Sequence, residues 1–296
     1  MDLVALGLIL VAAVLHVAWN VLLKTAGDPL RTATVGVAVA SLVLLPVAAA
    51  AWWLEGAPLI PAAAIGVGIV SGVVEVAYFV LLSAAYRRGD LSVVYPIARG
   101  TAPLLAVGIG VLVLGERLAP VAAIGVAALL SGLVLVQRPW RLLRAASAAD
   151  RPAALFALAT GVAIATYSAL DRVGSQLAPP VVYAAILWTT CAAGLVAWAR
   201  VQGGRDPLVH PAPLDLRRGI AAGAMTVVAY GLVLVVLSTS PLAVVAPLRE
   251  SAIVLATIVG VTRLGEGRGA ATRERLSRVA GALSIVIGVV LIASAG

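Results

Sequence analysis

Apolar segments of about twenty residues recur along almost the whole chain and leave little sequence between them. Hydrophobic residues occupy 62% of the 296 positions, and charged residues only 11%. A soluble domain has no interior large enough to bury that many apolar side chains. Each transmembrane helix needs about 20 apolar residues, so the chain has room for roughly ten of them. The sequence therefore predicts an all-α polytopic membrane protein.

Short polar breaks divide the chain into ten predicted spans. These cover residues 2–23, 32–54, 62–86, 91–114, 118–137, 152–173, 180–199, 217–238, 241–262 and 276–295. A basic, alanine-rich stretch, 138–151, is interpreted as a linker between a first five-helix repeat, 1–137, and a second, 152–296. An odd number of spans in each half inverts the second half relative to the first. We therefore expect ten helices, arranged as two inverted repeats around a central cavity.

The fourth and ninth spans carry one proline-centred pattern. The fourth contains LSVVYPIARG and the ninth LAVVAPLRES, so that Pro96 aligns with Pro247 and Arg99 with Glu250. An ionisable side chain in the hydrocarbon core is costly and usually faces an internal cavity or a partner. A proline-interrupted span that recurs in both halves is also typical of a transporter's binding site. The pattern predicts a substrate site near the membrane midplane.

Both spans are expected to kink beside their charges, because proline lacks an N–H and leaves a carbonyl of the preceding turn free. The prolines concerned are Pro96, Pro103 and Pro247. Arg99 could then bind an anionic group in bidentate geometry. The alternative is a structural salt bridge from Arg99 to Glu250 or Glu75, with no role in ligand binding.

Three further ionisable side chains, Arg249, Glu250 and Glu75, are candidate substrate contacts. Adjacent helical residues point about 100° apart, so Arg249 and Glu250 face different directions and only one need face the cavity. Glu75 lies midway along the third span, where desolvation disfavours its charged form. Glu75 and Glu250 are therefore candidate proton carriers or anchors for an ammonium group. A purely structural role remains the alternative for each.

Aromatic and polar residues supply the remaining candidate contacts. They are His16, Trp19 and Asn20 on span one, Tyr78 on span three, Tyr95 on span four, Tyr167 on span six and Tyr230 on span eight. Tyr78 and Tyr230 are expected to face each other across the cavity, where their rings would suit a cation or an aromatic substrate. The alternative for His16 is a hydrogen-bonded packing role.

Span six aligns with span one, which places Tyr167, Ser168 and Asp171 opposite Trp19, Asn20 and Leu23. Asp171 and Arg172 fall near the predicted end of their span, so an interfacial ion pair is the default interpretation. Trp188, like most of the tryptophans, is interpreted as an interface anchor or a packing residue.

Basic residues concentrate in the loops that follow the odd-numbered spans. The other loops contain only Arg117 and Arg172. The positive-inside rule then places the odd loops in the cytoplasm and both termini outside it. Contact with anionic lipid accounts for the net charge of +8, and nucleic acid is not an expected partner.

Several kinds of chemistry are not expected. A glycine-rich phosphate loop is lacking, which argues against ATP-driven transport. The chain has two histidines and no HExxH pattern, so neither a catalytic metal nor a cofactor is expected. The single cysteine excludes an internal disulfide framework. A membrane-embedded enzyme remains a distant alternative.

The Leu-Gly-Glu sequence at the ends of spans four and nine, the LHVAWN segment of span one and the YPIARGTAP segment of span four resemble the EamA type of the drug/metabolite transporter superfamily. The resemblance covers essentially the whole chain. It implies a bundle in which spans one, three, four, six, eight and nine surround the cavity, while spans five and ten lie peripherally. Members carry amino acids, sugars, nucleotide conjugates and toxic metabolites.

The chain departs from this pattern in two respects. Related small multidrug carriers have a glutamate in their first helix, whereas span one here offers His16 and Asn20. Members are also often described with both termini in the cytoplasm, which is the reverse of the orientation that the loop charges predict.

We therefore expect a secondary transporter in a bacterial-type cytoplasmic membrane that moves a small zwitterionic, amino-acid-like metabolite by alternating access. Export is the expected direction, and transport would run either downhill or coupled to protons. A flippase for an anionic lipid-linked head group is the alternative. Membrane lipids are expected partners. The sequence leaves monomer and homodimer open, because the glycines of spans five and ten suit packing within or between copies.

Overall fold

The computed structural model describes residues 2–24, 26–89, 91–137, 151–202, 213–251 and 272–295. These ranges contain ten helices and no strand. The helices are α1 (Leu3–Lys24), α2 (Pro29–Leu54), α3 (Ala62–Arg88), α4 (Leu91–Leu112), α5 (Pro120–Gln137), α6 (Arg151–Leu177), α7 (Pro180–Val201), α8 (Pro213–Thr239), α9 (Leu242–Arg249) and α10 (Thr272–Ser294). Within these ranges, eight helices, α1 to α8, are long and apolar enough to cross a membrane. The all-helical, ten-helix expectation is confirmed.

Two helix ends differ from the predicted spans in ways that affect the site. Helix α6 continues to Leu177 rather than ending at residue 173, so Asp171 lies well inside the helix. Helix α9 ends at Arg249, where Glu250 and Ser251 form a turn. In this turn the Glu250 N–H donates to the Pro247 carbonyl at 3.0 Å. The rest of predicted span nine, from residue 252, lies outside the described residues.

The most extensive helix interfaces join the two halves of the sequence. Helix α3 packs on α6, α2 on α8, α1 on α8, and α5 on α10. The α3–α6 and α1–α8 interfaces are counterparts in the two repeats, as are α2–α8 and α3–α7. The halves are therefore interleaved, and each half depends on the other for most of its buried surface.

Glycines allow several of these helices to approach closely. A Cβ on Gly132 would lie 2.6 Å from the Gly281 carbonyl oxygen, and one on Gly288 would lie 2.6 Å from that of Gly125. Both pairs join α5 to α10, where a side chain would separate the backbones. The close packing expected of these glycines is confirmed, and it takes place within one chain.

Glycine contacts also define which positions correspond in the two repeats. A Cβ on Gly72 of α3 would lie 2.6 Å from the Leu187 carbonyl oxygen of α7, and one on Gly223 of α8 would overlap the Gly36 carbonyl of α2. Gly72 and Gly223 are 151 residues apart, and so are Gly36 and Leu187, so each of these pairs occupies corresponding positions in the two repeats. Helices α1 and α6 share their pattern of burial at a separation of 148 residues, which places Asp171 opposite Leu23.

Candidate functional site

Three charged side chains meet where α4 packs on α9. Arg99 Nη1 donates to Glu250 Oε1 at 2.7 Å, and Arg249 Nε lies 3.6 Å from the same oxygen. We call these three residues the ion-pair cluster. All three are at most 6% exposed. One carboxylate thus lies between two guanidinium groups, which leaves the cluster with an excess of positive charge.

The ion-pair cluster retains unused donors. Among the described residues, Arg99 Nη2 and Arg249 Nε have no hydrogen-bond partner. A buried donor without an acceptor is unfavourable, and an anionic ligand would supply the missing acceptor. The Arg99 guanidinium carbon also lies 5.6 Å from the centroid of the Tyr95 ring, which places Tyr95 at this end of the site.

Glu250, rather than Glu75, is the partner of Arg99. Glu250 lies in the turn after α9, where its N–H donates to the Pro247 carbonyl, and its carboxyl group contacts Arg99 of α4 from there. Helix α4 is continuous through Pro96 and Pro103. The kinks expected beside these prolines and Pro247 remain predictions.

Asp171 is the centre of a second cluster. Ser71 Oγ and the Tyr183 hydroxyl donate to Asp171 Oδ1 at 2.5 and 2.7 Å, and the Tyr230 hydroxyl donates to Oδ2. Asp171 is fully buried. We call the aspartate and its three hydroxyl donors, together with Glu75, the acid–hydroxyl cluster. The interpretation of Asp171 as half of an interfacial ion pair is wrong, because α6 runs past it and buries it.

Arg172 pairs with Glu116 instead. Its Nε lies 3.2 Å from Glu116 Oε1, and the carboxylate also accepts from the backbone N–H groups of Leu242 and Ala243 at 2.7 and 2.9 Å. A carboxylate on the first N–H groups of a helix satisfies donors that lack intrahelical partners. Glu116, which ends the Leu-Gly-Glu sequence of the first repeat, therefore caps the N-terminus of α9 in the second repeat.

Glu75 joins the acid–hydroxyl cluster from α3. It lies one helical turn after Ser71, on the same face, and is 2% exposed. In the described part of the chain its Oε2 has no hydrogen-bond partner. Glu75 therefore has an unused acceptor on the face of α3 from which Ser71 donates to Asp171.

Aromatic rings form a continuous row through the bundle. Successive centroids are 4.9 to 6.3 Å apart along the row His16, Trp19, Phe79, Tyr78, Tyr167, Tyr230 and Trp188. Tyr78 and Tyr230 do not contact each other directly, because Tyr167 lies between them at 5.7 and 5.6 Å. The Tyr167 ring therefore contacts both of the rings that the sequence predicts to face each other across the cavity.

The polar residues of α1 use their hydrogen bonds locally. The Trp19 indole N–H donates to His16 Nδ1 at 3.0 Å, and the Asn20 amide donates to the His16 carbonyl at 2.8 Å. His16 Nε2 has no partner among the described residues. Helix α1 also packs against α9, which carries Arg249, so α1 borders the ion-pair cluster.

Sequence reasoning missed three members of this region. Trp188 is 2% exposed, and its ring centroid lies 6.0 Å from that of Tyr230. Tyr183 and Ser71 bind Asp171. Tyr183 stands in an apolar run that gives no local signal. Ser71 lies one helical turn before Glu75 on the same face of its span, and that spacing was the available signal for it.

The fold and the site together define a polytopic helical protein with a buried, charged, aromatic-lined centre. The EamA-like transporter family model matches residues 3–138 and again residues 151–294. The chain therefore belongs to the EamA-like transporter family and is a transporter of the drug/metabolite type. No curated protein matches the chain. A crystal structure of a protein with 20% sequence identity superposes with a TM-score of 0.68, covering 98% of this chain and 96% of its own, and supports the fold.

Proposed function

We propose that the protein moves a small zwitterionic, amino-acid-like metabolite across the cytoplasmic membrane. The observation that carries this proposal is that unused donors and an unused acceptor are buried in the part of the bundle that holds the row of aromatic rings. Arg99 and Arg249 offer unpartnered donors, and Glu75 offers an unpartnered carboxyl oxygen. A carboxylate would bind to the arginines and an ammonium group to Glu75. The ring faces between them suit an apolar or aromatic side chain.

Alternating access is the proposed mechanism, and the helix contacts favour a particular division of the bundle. Helices α1, α2, α8 and α9 pack among themselves, as do α3, α4, α6 and α7. Each group combines two helices from each repeat. We therefore propose that these two groups rock against each other, rather than the first half of the sequence against the second. Arg99 and Glu250 lie on opposite sides of that division.

Export is the proposed direction, in keeping with the toxic metabolites that similar transporters carry. The proposed orientation places both termini outside the cytoplasm, since the basic loops follow the odd-numbered spans. Cysteine labelling tests the orientation. With Cys191 replaced, Asp2→Cys should react with an impermeant maleimide in intact cells, and Arg87→Cys only after permeabilisation. The reverse pattern would invert the topology.

Ligand-dependent thermal stability tests the substrate class. Purified protein is heated with each of the common amino acids, and every hit is repeated as its N-acetyl derivative and its carboxamide. A zwitterion at 100 times its Kd should stabilise the protein by about 2.7 kcal/mol. Both blocked derivatives should bind at least tenfold more weakly, because each lacks one of the two charges.

Two arginine variants locate the site. Arg99→Ala should abolish the stabilisation, whereas the control Arg117→Ala, at an exposed position, should preserve it. The proposal would be contradicted by an N-acetyl derivative that binds as well as the free amino acid. It would also be contradicted by a folded Arg99→Ala protein that retains the full shift.

A flippase for an anionic lipid-linked head group is the second candidate. An apolar groove between α2, α3 and α7 favours it, lined by residues that include Leu45, Trp52, Ile69 and Ile186. Such a groove would accommodate an acyl or prenyl chain while the arginines hold a phosphate. Stabilisation by a lipid phosphate, without any by the water-soluble phosphate head group, would favour this function over amino acid transport.

A further inference from the structure

The charges of the buried site do not balance. Five charged residues of the described chain are buried: Arg99, Arg249, Glu250, Glu75 and Asp171. Two are cations and three are acids. His16 adds no charge in this arrangement, since its Nδ1 accepts the Trp19 indole N–H. If every carboxyl group were ionised, the empty site would hold one uncompensated negative charge, which is costly in a buried environment.

Donors from the protein contact the carboxyl oxygens of both Glu250 and Asp171. Glu250 Oε1 accepts from Arg99 Nη1 at 2.7 Å and lies 3.6 Å from Arg249 Nε. Asp171 accepts three hydroxyl hydrogen bonds, two on Oδ1 and one on Oδ2. A carboxylate accepts on both oxygens, whereas a protonated carboxyl group donates from one of them. Protonating Asp171 on Oδ2 would therefore require the hydrogen bond with Tyr230 to reverse its direction.

Glu75 is the acid left without such contacts. Its Oε2 has no partner within the described residues, and the residue is 2% exposed. The groups that surround Glu75 and Asp171 come from every neighbouring helix. They are Tyr78 on α3, Tyr167 on α6, Tyr183 and Cys191 on α7, Tyr230 on α8, and Arg249 on α9. Arg249 is the cation that acts on both acids.

We propose that Glu75 carries one exchangeable proton in the empty site, and that Asp171 is a fixed anion that retains it there. The proton makes the five-residue centre neutral. Asp171 acts on Glu75 through charge and is a positioning residue, whereas Glu75 exchanges its proton with water on the open side. The proposed zwitterionic substrate carries no net charge, so it can bind without displacing this proton, and its ammonium group would donate to the free oxygen of the Glu75 carboxyl group.

The repeat supports a specialised role for this side of the site. At a separation of 151 residues, the counterpart of Glu75 is Thr226, whose hydroxyl donates to the Ala222 carbonyl of its own helix at 2.7 Å. The counterpart of Asp171 is Leu23, which is 1% exposed. The same framework therefore forms without either acid, so their presence on one side is not required for helix packing.

Infrared spectroscopy of the protein in lipid nanodiscs tests the proposal without any substrate. We expect one protonated carboxyl C=O band at neutral pH that shifts when the buffer is changed to D2O. The band should shift with carboxyl-¹³C glutamate and not with labelled aspartate. It should be absent in Glu75→Gln, and the double variant Arg99→Met with Glu250→Met, which removes a neutral pair, should retain it.

Two further variants separate charge from hydrogen bonding. Asp171→Asn removes a negative charge, so Glu75 can ionise and the band should disappear. Ser71→Ala removes one hydrogen bond to Asp171 without changing charge and should keep the band. The proposal is overturned if no such band exists, if it follows the aspartate label, if it survives in Glu75→Gln, or if Asp171→Asn leaves it unchanged. None of these outcomes depends on the proposed substrate class, which the thermal shift experiment tests separately.

Discussion

The surroundings of Asp171 and the mirror region in the other repeat share a backbone framework and differ in chemistry. The counterparts of Asp171, Ser71, Tyr183 and Tyr230 are Leu23, Ala222, Thr32 and Phe79. Even the ring contacts correspond, since Trp19 and Phe79 lie 6.3 Å apart where Tyr167 and Tyr230 lie 5.6 Å apart. On one side a carboxylate binds three hydroxyl groups. On the other the carboxylate and two of the three hydroxyl groups are absent.

This difference indicates that the repeat accounts for the packing of the helices but not for the charges of the site. Glycine contacts and buried helix faces recur in both halves and build the bundle. The charges do not recur: Arg99 corresponds to Glu250, and Glu75 to Thr226. A site with unlike poles binds an asymmetric cargo in one orientation, whereas a symmetric site would have no such preference. Substitutions on the Asp171 side and at the corresponding positions of the other repeat should therefore differ in their effects.

The largest effect is expected from breaking the pair that lies between the two repeats. Glu250→Ala leaves Arg99 and Arg249 buried without the carboxyl group that contacts both of them, so the free energy of unfolding should fall by about 3–5 kcal/mol. Unfolding by SDS in mixed micelles measures it. Replacing Arg99 and Glu250 together by methionine should restore most of the loss. A double variant as unstable as Glu250→Ala would show that the pair is needed for more than mutual neutralisation.

Changing Asp171 to its mirror residue should have the next largest effect. Asp171→Leu leaves three buried hydroxyl groups without their acceptor and should cost about 3 kcal/mol, at roughly 1 kcal/mol for each hydrogen bond. A double-mutant cycle isolates one of them. Tyr230→Phe should destabilise the wild type, but have little effect in the Asp171→Leu background. Equal effects in both backgrounds would contradict the hydrogen bond to Asp171.

The sequence predicted the fold more fully than the site. Apolar runs and the repeated proline pattern were sufficient for ten helices and for the positions of Arg99 and Glu250, because both signals are local. Asp171 was misinterpreted because the predicted span stopped at residue 173, four residues before Leu177. The role of Glu116 was not visible, because the N–H groups that it caps lie 126 and 127 residues away. Such contacts depend on how the helices pack.

A substitution in the glycine contacts between α5 and α10 should lower stability without changing the site on either side. Gly132→Ala would place a Cβ 2.6 Å from the Gly281 carbonyl oxygen. Forcing the helices apart should cost about 1–3 kcal/mol. Gly66→Ala is the matched control, because a Cβ there meets nothing within 4 Å. If Gly132→Ala also reduced the stabilisation by bound ligand, α5 and α10 would not be peripheral to the site.

The smallest effect is expected when the mirror region receives one hydroxyl group. Phe79→Tyr reproduces the ring of Tyr230, but the residue opposite it is Leu23 rather than an aspartate, and Phe79 is 2% exposed. A buried hydroxyl group without an acceptor should cost about 1 kcal/mol or slightly more. Phe156→Tyr, at a partly exposed position, should be nearly neutral because its hydroxyl can reach a polar environment. If Phe79→Tyr were as stable as the wild type, the mirror region would contain an acceptor, and the polar specialisation of the Asp171 side would be weaker than the two sets of side chains indicate.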